Sequence, residues 1–122
     1  MKYVDGFVIP VPVDKVQAYR RMAQAAGKIW IEHGALEYME CIGDDLYVRM
    51  GKPFPRAFKV KPDETVIFSW VVYKSRAHRD RVNEKVVNDT RMEEMDMKSM
   101  PFDFKRMVYG GFKTIVEFGS ER

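Results

Sequence analysis

The segment TVIFSWVVY at 65–73 restricts the fold more than any other part of the sequence. Its β-branched and aromatic residues predict a β-strand. Apolar residues occupy both of its alternating sets of positions, so both faces of the strand need a covering layer. The sequence therefore predicts a central strand in a sheet that is covered on both sides.

Three further strands are predicted around this one. YVDGFVIPV at 3–11 forms strand one, and ALEYMECIG at 35–43 forms strand two, a polar edge strand. RMVYGGFKTIVEF at 106–118 forms the last strand. Within it, Gly110 and Gly111 predict a bulge or a close backbone approach.

Two helices are predicted between the strands. The first has Asp14 as its N-cap and ends at Gly34, and the second begins after the N-cap Ser75 and ends near Asn88 and Asp89. The positions of the second helix expected to face inward are Ala77, Val82, Val86 and Val87.

Residues 90–104 are rich in methionine, with one helical turn predicted at Glu93 to Asp96. Methionine side chains fill irregular spaces, so this group indicates adaptable packing rather than a haem or copper site. Its members are Met92, Met95, Met97, Met100 and Met107.

The order of elements is βαββαβ, which predicts one α+β domain over residues 1–122. Right-handed crossovers give it a ferredoxin-like, antiparallel four-stranded sheet with both helices on one face. The other face would remain apolar and exposed. A second copy of the chain covers that face most simply, so we expect a homodimer.

Composition excludes several classes of protein. The net charge is +3 with both signs interspersed along most of the chain, which disfavours nucleic acid as a partner. One cysteine and two histidines allow neither an internal disulfide nor a cysteine/histidine zinc site. We expect a cytoplasmic protein with no export signal, no membrane span, no metal and no cofactor.

Six blocks of the sequence resemble one bacterial family. They are YVDGF at 3–7, ECIGDD at 40–45, KPDETVIFSW at 61–70, RDRVN at 79–83, DTRM at 89–92 and MPFDFKRMVYGGF at 100–112. They resemble the YbaA-like proteins, the domain-of-unknown-function family 1428 (DUF1428), through nearly the whole chain. The resemblance implies the dimeric α/β-barrel superfamily and implies no activity, because the family has none assigned.

The same superfamily includes cofactor-free and haem-degrading monooxygenases. Relative to the haem-degrading pattern, Tyr73 stands in place of a Trp, Asn83 in place of a His, and Asp5 or Phe7 in place of an Asn. All three positions differ, which disfavours haem degradation. A cofactor-free monooxygenase-like enzyme remains an alternative.

Asp5 is the first candidate for a ligand-binding residue. Side chains alternate along a strand, so Asp5 shares the helix-facing side with Ser69 and Tyr73. A buried carboxylate needs a donor, and Arg106 on the last strand is the expected one. Asp5 would act as a base or substrate anchor in a pocket closed by Tyr73, Asn83 and Trp30. The alternative is a structural ion pair or a backbone cap.

Three functions remain open from the sequence. The first is a homodimer that binds a small molecule, or acts on it without a cofactor, through Asp5, Ser69, Tyr73, Asn83 and Arg106. For this function, Asp5→Ala is expected to leave the dimer folded and abolish ligand uptake. The second is an RNA-binding module that uses the basic loop 49–61, where Phe54 and Phe58 lie between cations. The third is an interaction or structural dimer without a pocket.

Overall fold

The computed structural model describes residues 1–95 and 100–119, which form an α+β fold built on one antiparallel sheet. Its strand order is β2-β3-β1-β4. The strands are β1 (Tyr3–Pro12), β2 (Glu37–Ile42), β3 (Glu64–Tyr73) and β4 (Val108–Lys113). The predictions of a central strand at 65–73 and of an edge position for strand two are confirmed.

Two long helices pack on the sheet, and two short ones lie in the connections. The helices are α1 (Val16–Glu32), α2 (Phe54–Ala57), α3 (Arg76–Val87) and α4 (Thr90–Glu93). No helix in the described residues has the length and hydropathy needed to cross a membrane.

The helix ends differ from the predicted ones where caps were misassigned. Asp14 lies inside a single 3-10 turn that precedes α1, and Lys15 takes the N-cap position without a side-chain hydrogen bond. Ser75 caps α3 as predicted, accepting a hydrogen bond of 3.1 Å from the His78 amide. Within α3, Val82 and Val86 are buried, whereas Ala77 and Val87 are exposed, contrary to prediction.

The methionine-rich segment folds differently from the predicted turn at Glu93 to Asp96. Its helical turn is α4, which begins earlier because the Asp89 side chain caps it by accepting from the Arg91 amide. Asp96 and Met97 lie outside the described residues.

One face of the sheet, the helix face, holds the core. On β1 this face carries Asp5, Phe7 and Ile9, which lie opposite Val71, Ser69 and Ile67 of β3 in register. Side chains of α1 and α3, including Ile29, Val82 and Val86, pack with Val71 and Tyr73 in one buried cluster. The predicted assignment of these strand residues to the helix-facing side is confirmed.

The strand β4 is shorter than the predicted strand at 106–118. It ends at Lys113 because its partner β1 begins at Tyr3, opposite Lys113. Beyond that pair, the Thr114 amide donates to the Lys2 carbonyl, and the Lys2 side chain pairs with Glu117 at 3.0 Å. The register across Gly110 and Gly111 is regular, so the bulge alternative was wrong. The close approach is present instead, since the Tyr3 ring lies directly over Gly111.

The opposite side of the sheet, the back face, is apolar and largely uncovered. Phe68 is 45% exposed, and Phe112 is 63% exposed. Trp70, between them in the sheet, donates its indole N–H to Glu37 at 2.9 Å. The other members of this face include Val4, Val8, Val72, Met39, Cys41 and Val108.

Candidate functional site

The predicted site residues Asp5, Tyr73 and Asn83 come together under α3, with Trp30 and Arg79, in a group that we call the polar cluster. Arg79 donates to Asp5 at 2.7 Å, and the Asn83 amide nitrogen lies 3.4 Å from the second Asp5 oxygen. Tyr73 and Trp30 both donate to the Asn83 side-chain oxygen, at 3.0 and 3.1 Å. Asp5, Tyr73, Asn83 and Trp30 thus lie together as the sequence predicts, whereas Arg79 was not among the predicted residues.

The partner of Asp5 is Arg79, and the prediction of Arg106 was wrong. Arg79 stands at the start of α3, whose N-terminus lies over the Asp5 end of β1, and its guanidinium also stacks 4.9 Å from the centre of the Tyr3 ring. Because the Ser75 cap fixes where α3 begins, the helical position of Arg79 was the signal from which its contact with Asp5 could have been predicted.

The polar cluster is a closed network. Within the described residues, every buried side-chain nitrogen and oxygen has a hydrogen-bond partner. Burial, and then the Asp5 carboxylate, raise the pKa of Tyr73 well above its usual range, so its hydroxyl stays a donor. Asp5, Tyr73 and Asn83 line neither of the two cavities described below. This geometry favours the structural ion pair for Asp5.

Arg106 belongs to another part of the molecule. It ends a 3-10 turn before β4 and binds both oxygens of Glu64, at 2.6 and 2.9 Å, as well as the Lys59 carbonyl at 3.0 Å. These bonds hold the end of the basic loop and the start of β3 close to the segment that leads into β4. Hydrogen bonding from Arg106 holds the pKa of Glu64 below its usual range.

The ion pair between Arg106 and Glu64 predicts how the free energy of unfolding depends on pH. The contribution of Glu64 is fully present above its ordinary pKa, 4.5, and is lost as the pH falls through the lower folded value. We expect Glu64→Gln to lower the free energy of unfolding at pH 7 by about 2 kcal/mol. The difference from wild type should shrink below pH 4, as measured by urea unfolding from about pH 3 to 7. An equal difference at all these pH values would contradict the assignment.

A cavity of about 190 Å³, the inner chamber, lies between α1, the helix face and the two segments 92–95 and 100–107. Its walls are aromatic side chains and thioethers. The aromatic residues are Phe7, Tyr19, Trp30, Tyr38, Phe102 and Phe104, and the methionines are Met22, Met92, Met95, Met100 and Met107. Four members of the methionine group, Met92, Met95, Met100 and Met107, thus line one space, which refines the prediction of adaptable packing.

Ser69 and Glu40 supply polar groups to this chamber. Ser69 is buried, and its two cross-strand neighbours are Phe7 of β1 and Glu40 of β2. The two Glu40 oxygens accept hydrogen bonds from Tyr19 at 2.7 Å and from Tyr38 at 2.5 Å.

A second cavity of about 790 Å³, the outer cavity, opens between α1 and the edge strand β2. Tyr19, Tyr38 and Glu40 line both cavities, so their hydrogen-bonded group stands at the boundary. The Tyr38 ring packs against the α1 backbone at Gly27, where a Cβ atom would come within 2.6 Å of the ring.

The group at Glu40 was missed by the sequence analysis, although a signal was available. Glu37 and Glu40 fall on opposite faces of strand two, so one of them had to point inward. Tyr38 shares the inward face with Glu40, and Tyr19 lies on the apolar stripe of the first helix. A carboxylate and a tyrosine on the inward face of one strand, with a second tyrosine on the apolar face of the helix above it, indicate this hydrogen-bonded group.

The aromatic residues of the basic loop pack within the chain. Phe54 and Phe58 stack on each other with ring centres 5.9 Å apart, and Phe54 contacts Phe68 of the back face edge-on at 6.2 Å. RNA binding by residues 49–61 stays a prediction.

Comparison of structures defines the class of fold. An uncharacterized NIPSNAP domain protein from Burkholderia xenovorans superposes with a TM-score of 0.58, covering 97% of this chain and 99% of that chain. The two sequences are 11% identical, so the likeness concerns the fold alone.

Comparison of sequences defines the family. Residues 2–104 match the family described as "Protein of unknown function (DUF1428)". The chain is 48% identical over 117 residues to "Uncharacterized protein YbaA" of Escherichia coli K12, covering 96% of this chain and 99% of that protein, and the YbaA protein of Shigella flexneri matches to the same extent. This chain belongs to the DUF1428 family, as its sequence blocks indicated.

Proposed function

We propose that this protein is a homodimer that binds a small, mainly apolar molecule in the inner chamber. The chamber itself carries the proposal. Protein interiors are normally filled, and a space of about 190 Å³ is larger than an engineered cavity of about 150 Å³ that binds benzene. Apolar walls with a few converging polar groups are typical of small-molecule sites.

The residues that we propose to contact the ligand differ from those expected from the sequence. Ser69 remains a candidate ligand contact because it lines the inner chamber, and Glu40, Tyr19 and Tyr38 join it. Asp5, Tyr73 and Asn83 support the chamber indirectly, through the hydrogen bonds that fix Trp30 in its wall. Arg106 fixes the segment just before Met107, another wall residue.

The dimer rests on the back face. The strand order of the sheet is that of a ferredoxin-like fold. A second copy of the chain, packed with its back face against this one, would complete a dimeric α/β barrel. The exposed aromatic side chains Phe68 and Phe112 are the type of residue that anchors interfaces. A stable dimer needs about 800 Å² from each partner.

The chamber can be tested with toluene as the probe and methyl-labelled methionine as the reporter. Toluene should shift the NMR signals of the chamber methionines and leave those of Met39 and Met50, which lie outside both cavities, unchanged. Ala26 is buried and lines the chamber, so Ala26→Leu should occupy the space and abolish the shifts.

Ala25→Leu is the matched control, because Ala25 is the exposed neighbour on the same helix. It should bind toluene as the wild type does. Chamber signals that ignore toluene, or an Ala26→Leu variant that binds it normally, would contradict the proposal.

A further inference from the structure

The inner chamber has a charge opposite to that of the chain. The whole sequence carries a net charge of +3, yet Glu40 is the sole charged residue among the described residues that line the chamber. The chamber is therefore a negative site with aromatic walls.

The Glu40 carboxylate lacks a cationic partner. Its two oxygens accept from Tyr19 and Tyr38, and no Lys, Arg or His nitrogen lies within 4.0 Å of it in the part of the chain that the structure describes. By contrast, Asp5 and Glu64 each bind an arginine. Glu40 is half-buried, and a carboxyl group that is partly removed from water and lies beside apolar side chains favours a cation as a partner.

The tyrosines leave room for a further partner on Glu40. Burial, and then the neighbouring carboxylate, raise the pKa of Tyr19 and Tyr38 far above the usual range, so both hydroxyls remain protonated donors. A carboxylate has about four acceptor sites, and the two tyrosines use two of them.

We infer that the ligand is a small organic cation, a protonated amine attached to a ring or a short apolar body, whose ammonium group binds Glu40. This inference rests on the proposed function of the chamber. The aromatic walls strengthen it, because an ammonium group is attracted to the faces of Trp and Tyr rings such as Trp30 and Tyr38. The volume suits a single ring with a short substituent.

The outer cavity does not share the preference for a cation. Arg20 and Lys28 line it together with Glu32 and Glu40, so both signs of charge are present there. Selection for a cation therefore takes place at the boundary formed by Tyr19, Glu40 and Tyr38, where the carboxylate meets the aromatic walls.

Three probes of one shape test the inference: benzylamine, benzyl alcohol and benzoate, which at pH 7 are a cation, a neutral molecule and an anion. Calorimetry gives their affinities, and the chamber methionine signals show where they bind. We expect benzylamine to bind about tenfold or more tightly than benzyl alcohol, and benzoate to bind most weakly.

Glu40→Gln keeps the size and hydrogen-bonding capacity of the side chain while removing its charge. In this variant benzylamine should lose its advantage, whereas benzyl alcohol should bind as it does to wild type. Glu84→Gln is the control, because it makes the same charge change on the exposed side of α3, and it should leave the order of affinities unchanged.

The outcomes separate this inference from the proposed function. Equal binding of benzylamine and benzyl alcohol at the chamber methionines, or an unchanged preference in Glu40→Gln, would overturn the cation inference and leave the chamber as a binding site. If none of these probes, and not toluene either, moves a chamber signal, the proposed function itself fails.

Discussion

Asp5→Ala should lower the free energy of unfolding by about 3–5 kcal/mol, the usual cost of removing one partner from a buried ion pair. The Asp5 side chain is 6% exposed and that of Arg79 19%, so the variant leaves a largely buried guanidinium with only the exposed Asp80 carboxylate as its ion-pair partner. Asn83 loses a partner in the same step. Urea unfolding at pH 7 measures the effect.

Asp80→Ala is the control for this prediction. Asp80 binds the same arginine at 2.8 Å, but its side chain is 59% exposed. Exposed pairs contribute little, so we expect a loss of about 0.5 kcal/mol or less. A loss for Asp5→Ala no greater than that for Asp80→Ala would contradict the structural role of Asp5. It would return Asp5 to the ligand-anchoring role predicted from the sequence.

Phe112→Asp should separate the dimer into folded monomers, raising the dissociation constant about a hundredfold or more. The side chain is 63% exposed in the single chain, so the substitution costs the monomer little. In the dimer it would place a carboxylate in an apolar interface without a partner. Light scattering coupled to size-exclusion chromatography, over a range of concentrations, measures the change.

Tyr109→Asp is the matched control for the dimer. Tyr109 lies on the same strand with a similar exposure, 65%, but on the helix face, where its ring stacks on Phe7. This variant should remain dimeric. Dissociation of Tyr109→Asp, or a Phe112→Asp variant that stays dimeric, would place the interface elsewhere.

The alternation of side chains along the strands made much of the fold predictable. The rule put Asp5, Ser69 and Tyr73 on one face of the sheet, where the structure has them. The start of α3 was also predictable, because the Ser75 cap forms a local hydrogen bond with the His78 amide.

Contacts between distant elements were harder to predict. Asp5 and Arg79 are 74 residues apart, and their meeting depends on how α3 is rotated on the sheet. Arg106 was assigned to a strand that begins only at Val108, so its side chain was given to the wrong carboxylate. Strand ends depend on where the partner strand ends, and a single segment does not show this.

The inner chamber could not be predicted because a cavity is a property of packing. The sequence shows which residues are apolar, whereas unfilled space depends on how α1 and the segments 92–95 and 100–107 meet over Ser69. The methionine group was the nearest signal. It indicated adaptable side chains, and four of its members, Met92, Met95, Met100 and Met107, line this one space.

Native mass spectrometry of freshly purified protein shows whether the protein is a ligand-binding dimer, because one spectrum reports both the number of chains and any retained ligand. We expect a species of two 14.3 kDa chains with an added mass that is released on denaturation. Ala26→Leu should give the same dimer without the added mass. Single chains of 14.3 kDa, with no added mass in wild type, would contradict both the dimer and the chamber.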